Sequence, residues 1–210
     1  HNSVLMISIL SHVVEFRNSE SGQHVLHIRT LTGLLLHQLV QKTDRYQLDE
    51  SDISLISTAS ALHDIGKIMI PEEILNKPGR LTEEEYATIK THTTEGARIL
   101  KGLAIGQDEP LVKVAHAICR WHHERWDGGG YPDRLKGDEI PIAAQVVALA
   151  DVYDALTSER CYKQSYSHEK AVDMILHGEC GSFNPLLMEC LKESSELLRT
   201  ELQRSEYDRG

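Results

Sequence analysis

The chain has 210 residues, with 22 Lys and Arg against 32 Asp and Glu, a formal charge of -10 and 40% hydrophobic positions, a composition that excludes intrinsic disorder and suits one globular domain. The acid excess and scattered basic residues exclude a DNA or RNA binder, and no apolar run reaches the roughly 18 residues that cross a bilayer. Twelve histidines beside two Phe and two Trp point instead to polar ligating groups, and so to metal ions, in part of the interior.

Helical periodicity dominates in chain order, and alternating β-type runs are absent. Val4, Ile7, Leu10, Val13 and Val14 follow a 3.6-residue period, and after Gly22 so do His24, Ile28, Leu31, Leu34, Leu35 and Val40. The segment from Val4 to Phe16 fits two readings: a helix packed on the bundle, or the continuation of a signalling helix from an upstream receiver or sensor domain that contributes to a homodimer. Further helices are predicted over about 49–63, 82–101, 110–123, 141–158, 167–177 and 184–202, opened by Asp49 with Asp52, Thr82 with Glu85, Pro110, Pro141, Ser167 and Pro185. Pro71, Pro78 with Gly79, Gly128 to Gly130 and Gly137 punctuate the loops. The expected layout is an N-terminal helix over 1–18, one all-α domain over 19–203 and a polar tail over 204–210. Because residue 1 is His, the chain reads as a fragment of a longer protein. Cys119, Cys161, Cys180 and Cys190 have no CxxC spacing and read as reduced thiols of a cytoplasmic protein.

Several residues could carry chemistry. His63 and Asp64 are adjacent, so their side chains point about 100° apart on a helix and can converge on an ion lying between them; Lys67 shares that face. The same string fits a helix end capped by Gly66 with a solvated Lys. His122 and His123 lead into Glu124, Arg125, Trp126, Asp127 and the loop Gly128 to Pro132, where neutral imidazoles suit first-row metals and the glycines allow close backbone approach; the alternative is a plain glycine-rich turn. Glu20 and His24 lie at i, i+4, His92 stands alone on its predicted helix, and Asp151 and Asp154 lie at i, i+3. Singly, each of these fits a structural or solvated residue. Jointly, carboxylates and imidazoles on several helices are how bundles build di-metal centres. Arg160 and Lys163 suit an anion clamp or a solvated basic face.

These residues, in this order, resemble the HD-GYP domain, a branch of the HD metal-dependent phosphohydrolases. The resemblance covers nearly the whole chain: Glu20 to His24, Leu62 to Lys67 with Ile70 and Pro71, Ile74 to Thr82, His92, His122 to Glu124, Asp127 to Pro132, Ile140 with Pro141, and Ala150 to Ser158 with Arg160, Tyr162 and Lys163. It implies an HD-type bundle of about seven to nine helices around a centre of two or three divalent ions, commonly iron or manganese, that hydrolyses bacterial cyclic dinucleotides, chiefly cyclic di-GMP, to linear pGpG, with two end points open, pGpG itself or GMP. It further implies Glu20, His24, His63, Asp64, His92, His122, His123 and Asp151 as metal ligands, with Asp64 bridging. Asp64, Lys67 and Asp154 fall on the catalytic positions, with Asp154 holding Lys67 beside the scissile phosphate. Lys67, Gly130, Tyr131, Arg160 and Lys163 fall on the substrate-contacting ones.

Three positions depart from the family pattern: His27 stands in place of Arg, Arg134 in place of Gly, and Asn184 in place of Asp. None removes a ligand. The chemistry fits the resemblance, because a phosphodiester repels hydroxide and two ions roughly 3.5 to 4 Å apart both activate water and clamp the phosphate. Two other functions stay open at this level: a cyclic-dinucleotide sensor or adaptor that does not cut, and an HD hydrolase preferring cyclic GMP-AMP or other nucleotides.

Overall fold

A computed structural model describes residues 2–17, 23–103, 106, 108–158 and 165–207, the side chains of 2, 3 and 203–207 excepted. Its regular elements are helical: α1 (Asn2–Arg17), α2 (Gln23–Lys42), α3 (Glu50–Ser60), α4 (Glu72–Leu75), α5 (Glu83–Lys90), α6 (His92–Lys101), α7 (Pro110–Trp121), α8 (Ile142–Thr157), α9 (His168–Leu176), α10 (Pro185–Glu193) and α11 (Ser195–Tyr207). Two 3₁₀ turns, Ile65–Met69 and Gly137–Glu139, complete them.

The starts obey local chemistry. Asp49 and Asp52 form a reciprocal capping box on α3, as do Thr82 and Glu85 on α5. Ser167 caps α9, and the side chain of Asn184 accepts from the Leu186 N–H at the start of α10. The Asn184 amide nitrogen also donates to Tyr46 Oη and Gln145 Oε1, both at 2.9 Å. A carboxylate in its place could not donate to either acceptor.

Two predicted helices divide. At 82–101 the break falls at Thr91, where the side chains of Thr91, His92, Thr93 and Thr94 each hydrogen-bond the carbonyl three residues back and compete with the helical ladder. At 184–202 it falls at Ser194, whose hydroxyl donates to Cys190 O. These breaks, with short α4, raise the number of helices above the seven to nine expected for the same bundle. The predicted 49–63 helix stops at Ser60, so that His63 and Asp64 sit in the turn that follows. Helix α11 runs on to Tyr207, past residue 203 where the polar tail was expected.

Helices α2 and α8 form the centre. Ile28, Leu31, Leu35, Leu36 and Leu39 of α2 are buried, as are Val146, Val147, Leu149, Ala150 and Tyr153 of α8; each large apolar side chain so buried contributes roughly 1.5 to 3 kcal/mol. The sequence of α8 is apolar on nearly every side, the pattern of a helix enclosed by neighbours. α3 and α7 pack on this pair, α6 packs on α7 and on the turn Ile65–Met69, and α9, α10 and α11 close the far side.

Candidate metal centre

Five elements deliver side chains to one point. His24 lies in the first turn of α2, His63 and Asp64 in the turn after α3, His92 at the start of α6, His122 and His123 just past α7, and Asp151 on α8. Gly66 makes the approach possible, because a Cβ there would lie 1.8 Å from His92 O and 2.5 Å from Gly96 N. No side chain fits, so the backbone beside Asp64 rests directly on α6.

The distances suit metal ligation. His24 Nε2 and His63 Nε2 are 3.3 Å apart, and His92 Nε2 and His122 Nε2 are 3.4 Å apart. Nitrogens held at about 2.1 Å from one ion are spaced about 3.0 to 3.4 Å from each other. Asp64 is divided between the two pairs: Oδ1 lies 3.3 Å from His92 Nε2 and 3.6 Å from His122 Nε2, while Oδ2 lies 3.2 Å from His63 Nε2. Asp151 Oδ1 stands 3.6 Å from His24 Nε2 and 3.7 Å from His63 Nε2. Two ligand groups thus share Asp64, one with His92, His122 and His123 and the other with His24 and His63.

The opposite ring nitrogens determine which face is free. His63 Nδ1 donates to Ser60 O at 2.9 Å, His92 Nδ1 to Ile89 O at 2.7 Å and His122 Nδ1 to Ile118 O at 2.9 Å. Each bond to a carbonyl requires Nδ1–H, so Nε2 is the nitrogen directed at the centre. These donors fit divalent first-row ions.

Electrostatics agree. Burial works against charge on His24 and His63, yet the Asp154 hydrogen bond at the first and the Asp64 and Asp151 carboxylates at the second hold both pKa values above the ordinary one. Burial likewise opposes ionisation of Asp64 and Asp151, but His63 with Lys67 at the former and His63 with His24 at the latter keep them well below the carboxylate range. His122 and His123 are pushed down by burial and their neighbouring imidazoles, and so stay neutral.

Asp154 requires a correction. It is buried, with Oδ2 2.6 Å from His24 Nδ1 and Oδ1 2.7 Å from His27 Nδ1 and 2.9 Å from Ser158 Oγ. It orients imidazoles from behind, whereas the Lys67 ammonium pairs with Asp64 Oδ2 at 2.8 Å. His27 takes up the Asp154 oxygen that His24 does not use. Glu20, Arg160 and Lys163 lie outside the described residues.

The centre opens into a cleft of about 500 Å³ walled by Asp64, Lys67, Tyr86, Arg125, Gly130, Tyr131 and Asp151. The Tyr131 ring stacks on His123 at 4.9 Å and 12°. Gly130 again permits close approach, since a Cβ would lie 2.4 Å from His123 O. Three residues here had no role assigned from the sequence. Glu124 is buried and accepts from the backbone N–H of Asp133 and Leu135, at 2.6 and 3.0 Å, shaping the loop. Arg125 donates to His122 O and Glu124 O under Phe183. Their place directly after the His pair was the available signal; Tyr86, exposed on α5, offered none.

Residues 6–182 match the HD domain family. The chain belongs to that family. It is 41% identical over 188 residues to the "Probable cyclic di-GMP phosphodiesterase" of Vibrio cholerae serotype O1, covering 88% of this chain and 42% of that protein. It is 40% identical over 184 residues to the 3'3'-cGAMP-specific phosphodiesterase 2 of the same organism, covering 88% and 33%. This HD domain chain therefore spans less than half the length of these curated relatives. A solved cyclic GMP-AMP specific phosphodiesterase of V. cholerae has the same fold, with a TM-score of 0.65 at 22% identity over 95% of this chain and 50% of that one.

Proposed function

We propose that this HD domain is a metal-dependent phosphodiesterase that hydrolyses cyclic di-GMP to linear pGpG. The observation that carries the reading is the Asp64 carboxylate divided between two imidazole groups at the floor of a cleft. His24, His63, His92, His122, His123, Asp64 and Asp151 would hold divalent ions, with Glu20 a further ligand. Such ions, for which we propose iron or manganese, supply an activated water and neutralise phosphoryl oxygens. Lys67, beside Asp64, places an ammonium where the phosphate enters and assists protonation of the leaving 3'-oxygen. Tyr131 offers a ring to a guanine base, and Arg160 and Lys163 bind the second phosphate. Names of relatives at 41% and 40% identity support a cyclic dinucleotide substrate. Among the described residues no helix is long and apolar enough to cross a membrane, and the buried free thiols of Cys119 and Cys190 support a cytoplasmic setting.

The test is anaerobic purification with metal analysis, followed by product identification from cyclic di-GMP and 3'3'-cGAMP in parallel. Cyclic di-GMP is expected to be consumed faster. The pair His63→Ala with Asp64→Ala is expected to lose both metal and hydrolysis, and Lys67→Ala to keep metal while turnover falls by about 10²-fold or more. Unchanged turnover in the double variant overturns the assignment, and intact cyclic di-GMP after long incubation of the metal-loaded protein favours a sensor.

A further inference from the structure

Arg125 borders the cleft with its guanidinium held in one place. Gly181 makes room for it, since a Cβ there would lie 2.9 Å from Arg125 Nε and 3.1 Å from its Cδ. The Phe183 ring backs it, with its centroid 5.2 Å from Cζ. Nη1 donates to His122 O and Glu124 O at 3.3 and 3.1 Å; among the described residues nothing is bonded to Nε or Nη2, and no carboxylate makes an ion pair with the group. Burial works against its charge and the Asp151 carboxylate supports it, so the guanidinium stays protonated. A planar fork with donors to spare therefore stands beside Asp64, Lys67 and Asp151.

The surroundings identify what the fork meets. Aromatic rings frame it: Phe183 on one side, and Tyr86 and Tyr131 in the walls of the same cleft. Lys90 Nζ ties the two tyrosines together, 5.1 Å from the Tyr86 centroid and 5.6 Å from that of Tyr131, and Tyr86 still keeps 50% of its surface in solvent. Rings so placed stack on bases, and a guanidinium held in plane donates two bonds to one flat edge. Guanine offers such an edge in O6 and N7, both acceptors, whereas adenine has an amino donor in place of O6 and opposes the fork. In the function proposed above the ions and Lys67 take the scissile phosphate, and the base edge is the part of the substrate still without a reader. A phosphate also suits a fork but carries no base identity, so dependence on guanine separates the two ligands.

We propose that Arg125 reads the O6 and N7 edge of one guanine and so sets the base preference of the cleft. The inference rests on the cyclic-dinucleotide reading above, and it is tested by binding as well as by turnover. Stopped-flow binding to the unaltered metal-loaded protein, read before turnover, is expected to favour cyclic di-GMP by about tenfold or more over cyclic di-AMP and over the cyclic 7-deazaguanine analogue, which lacks the N7 acceptor. This arm needs no variant and stands even where a substitution disturbs folding. Arg125→Lys keeps the charge and loses the fork, and is expected to bring the three affinities within about threefold of one another. Turnover gives a second readout. One reader fixes one guanine relative to the metal centre, so 3'3'-cGAMP is expected to open at a single P–O3' bond and give only one of pGpA and pApG, whereas Arg125→Lys is expected to give both. Equal affinity of the unaltered protein for the three ligands overturns the proposal. So does a guanine preference that Arg125→Lys leaves unchanged, the result expected of a phosphate contact. Guanine preference in binding without hydrolysis upholds it and counts against the proposed activity, whereas hydrolysis without base preference overturns it and leaves that activity standing.

Discussion

Arg134 holds φ at +55°, in the left-handed region where a Cβ is crowded and Gly is favoured. The family pattern has Gly here, and the backbone shows why: the turn is imposed by Glu124, which binds the N–H groups on either side of residue 134. Arg134→Gly is therefore expected to raise stability by about 1 kcal/mol, read as a higher denaturation midpoint at unchanged slope. Asp154 presents a second case, at which burial opposes ionisation and the hydrogen bonds from His24 and His27 draw the pKa down to about 2. Removing it leaves His24 unaligned, so Asp154→Ala is expected to weaken metal binding about 10- to 100-fold, measured by Mn(II) titration. At this scale the candidate ligands were legible, because the order of His, Asp and Gly along the chain carries the family pattern. The partner of Asp154 was not, because i, i+3 spacing on α8 says which face it occupies and nothing of which helix lies opposite.

Among elements, the short turn Ile65–Met69 is held from two sides. It lies on α6 with no room for a Cβ at Gly66, and its carbonyls are held from the other side by Arg17 of α1, with Nη1 2.7 Å from Ile68 O and Nη2 3.1 Å from Ile70 O. Gly66→Ala is expected to cost about 3 kcal/mol or more, since backbone rather than a flexible side chain must move; thermal unfolding checks this. Arg17→Ala is expected to cost about 1 to 3 kcal/mol by leaving charge-assisted acceptors unmatched, with metal content retained, as unfolding and metal analysis together would show. Helix starts were readable from Asp49, Thr82, Ser167 and Pro185, because a cap is a contact over three residues. The division at Thr91 was hidden, since Thr and His are tolerated inside helices and only their side-chain bonds to carbonyls reveal the break.

Across the whole molecule, binding of the proposed ions would be coupled to protons. His24 and His63 have pKa values raised above 6.5 by Asp154, Asp64 and Asp151, although burial opposes this. Near neutrality these imidazoles hold protons that an incoming ion must displace, whereas His122 and His123, already neutral, hold none to release. Mn(II) binding at pH 7 is expected to release on the order of one proton and to weaken as pH falls. Calorimetry in buffers of different ionisation enthalpy measures this; heats independent of buffer would contradict it. The sequence by itself determined the helical class and the caps, which rest on periodicity and spacing along the chain, and the family, which rests on the resemblance its ordered motifs carry. Tertiary structure alone decided that Asp64 is shared by two imidazole groups, that Asp154 turns to His24 from 130 residues away, and that one apolar face of α1 is left in solvent. Those outcomes depend on which helix faces meet, and packing of the entire bundle, not any local preference, sets that choice.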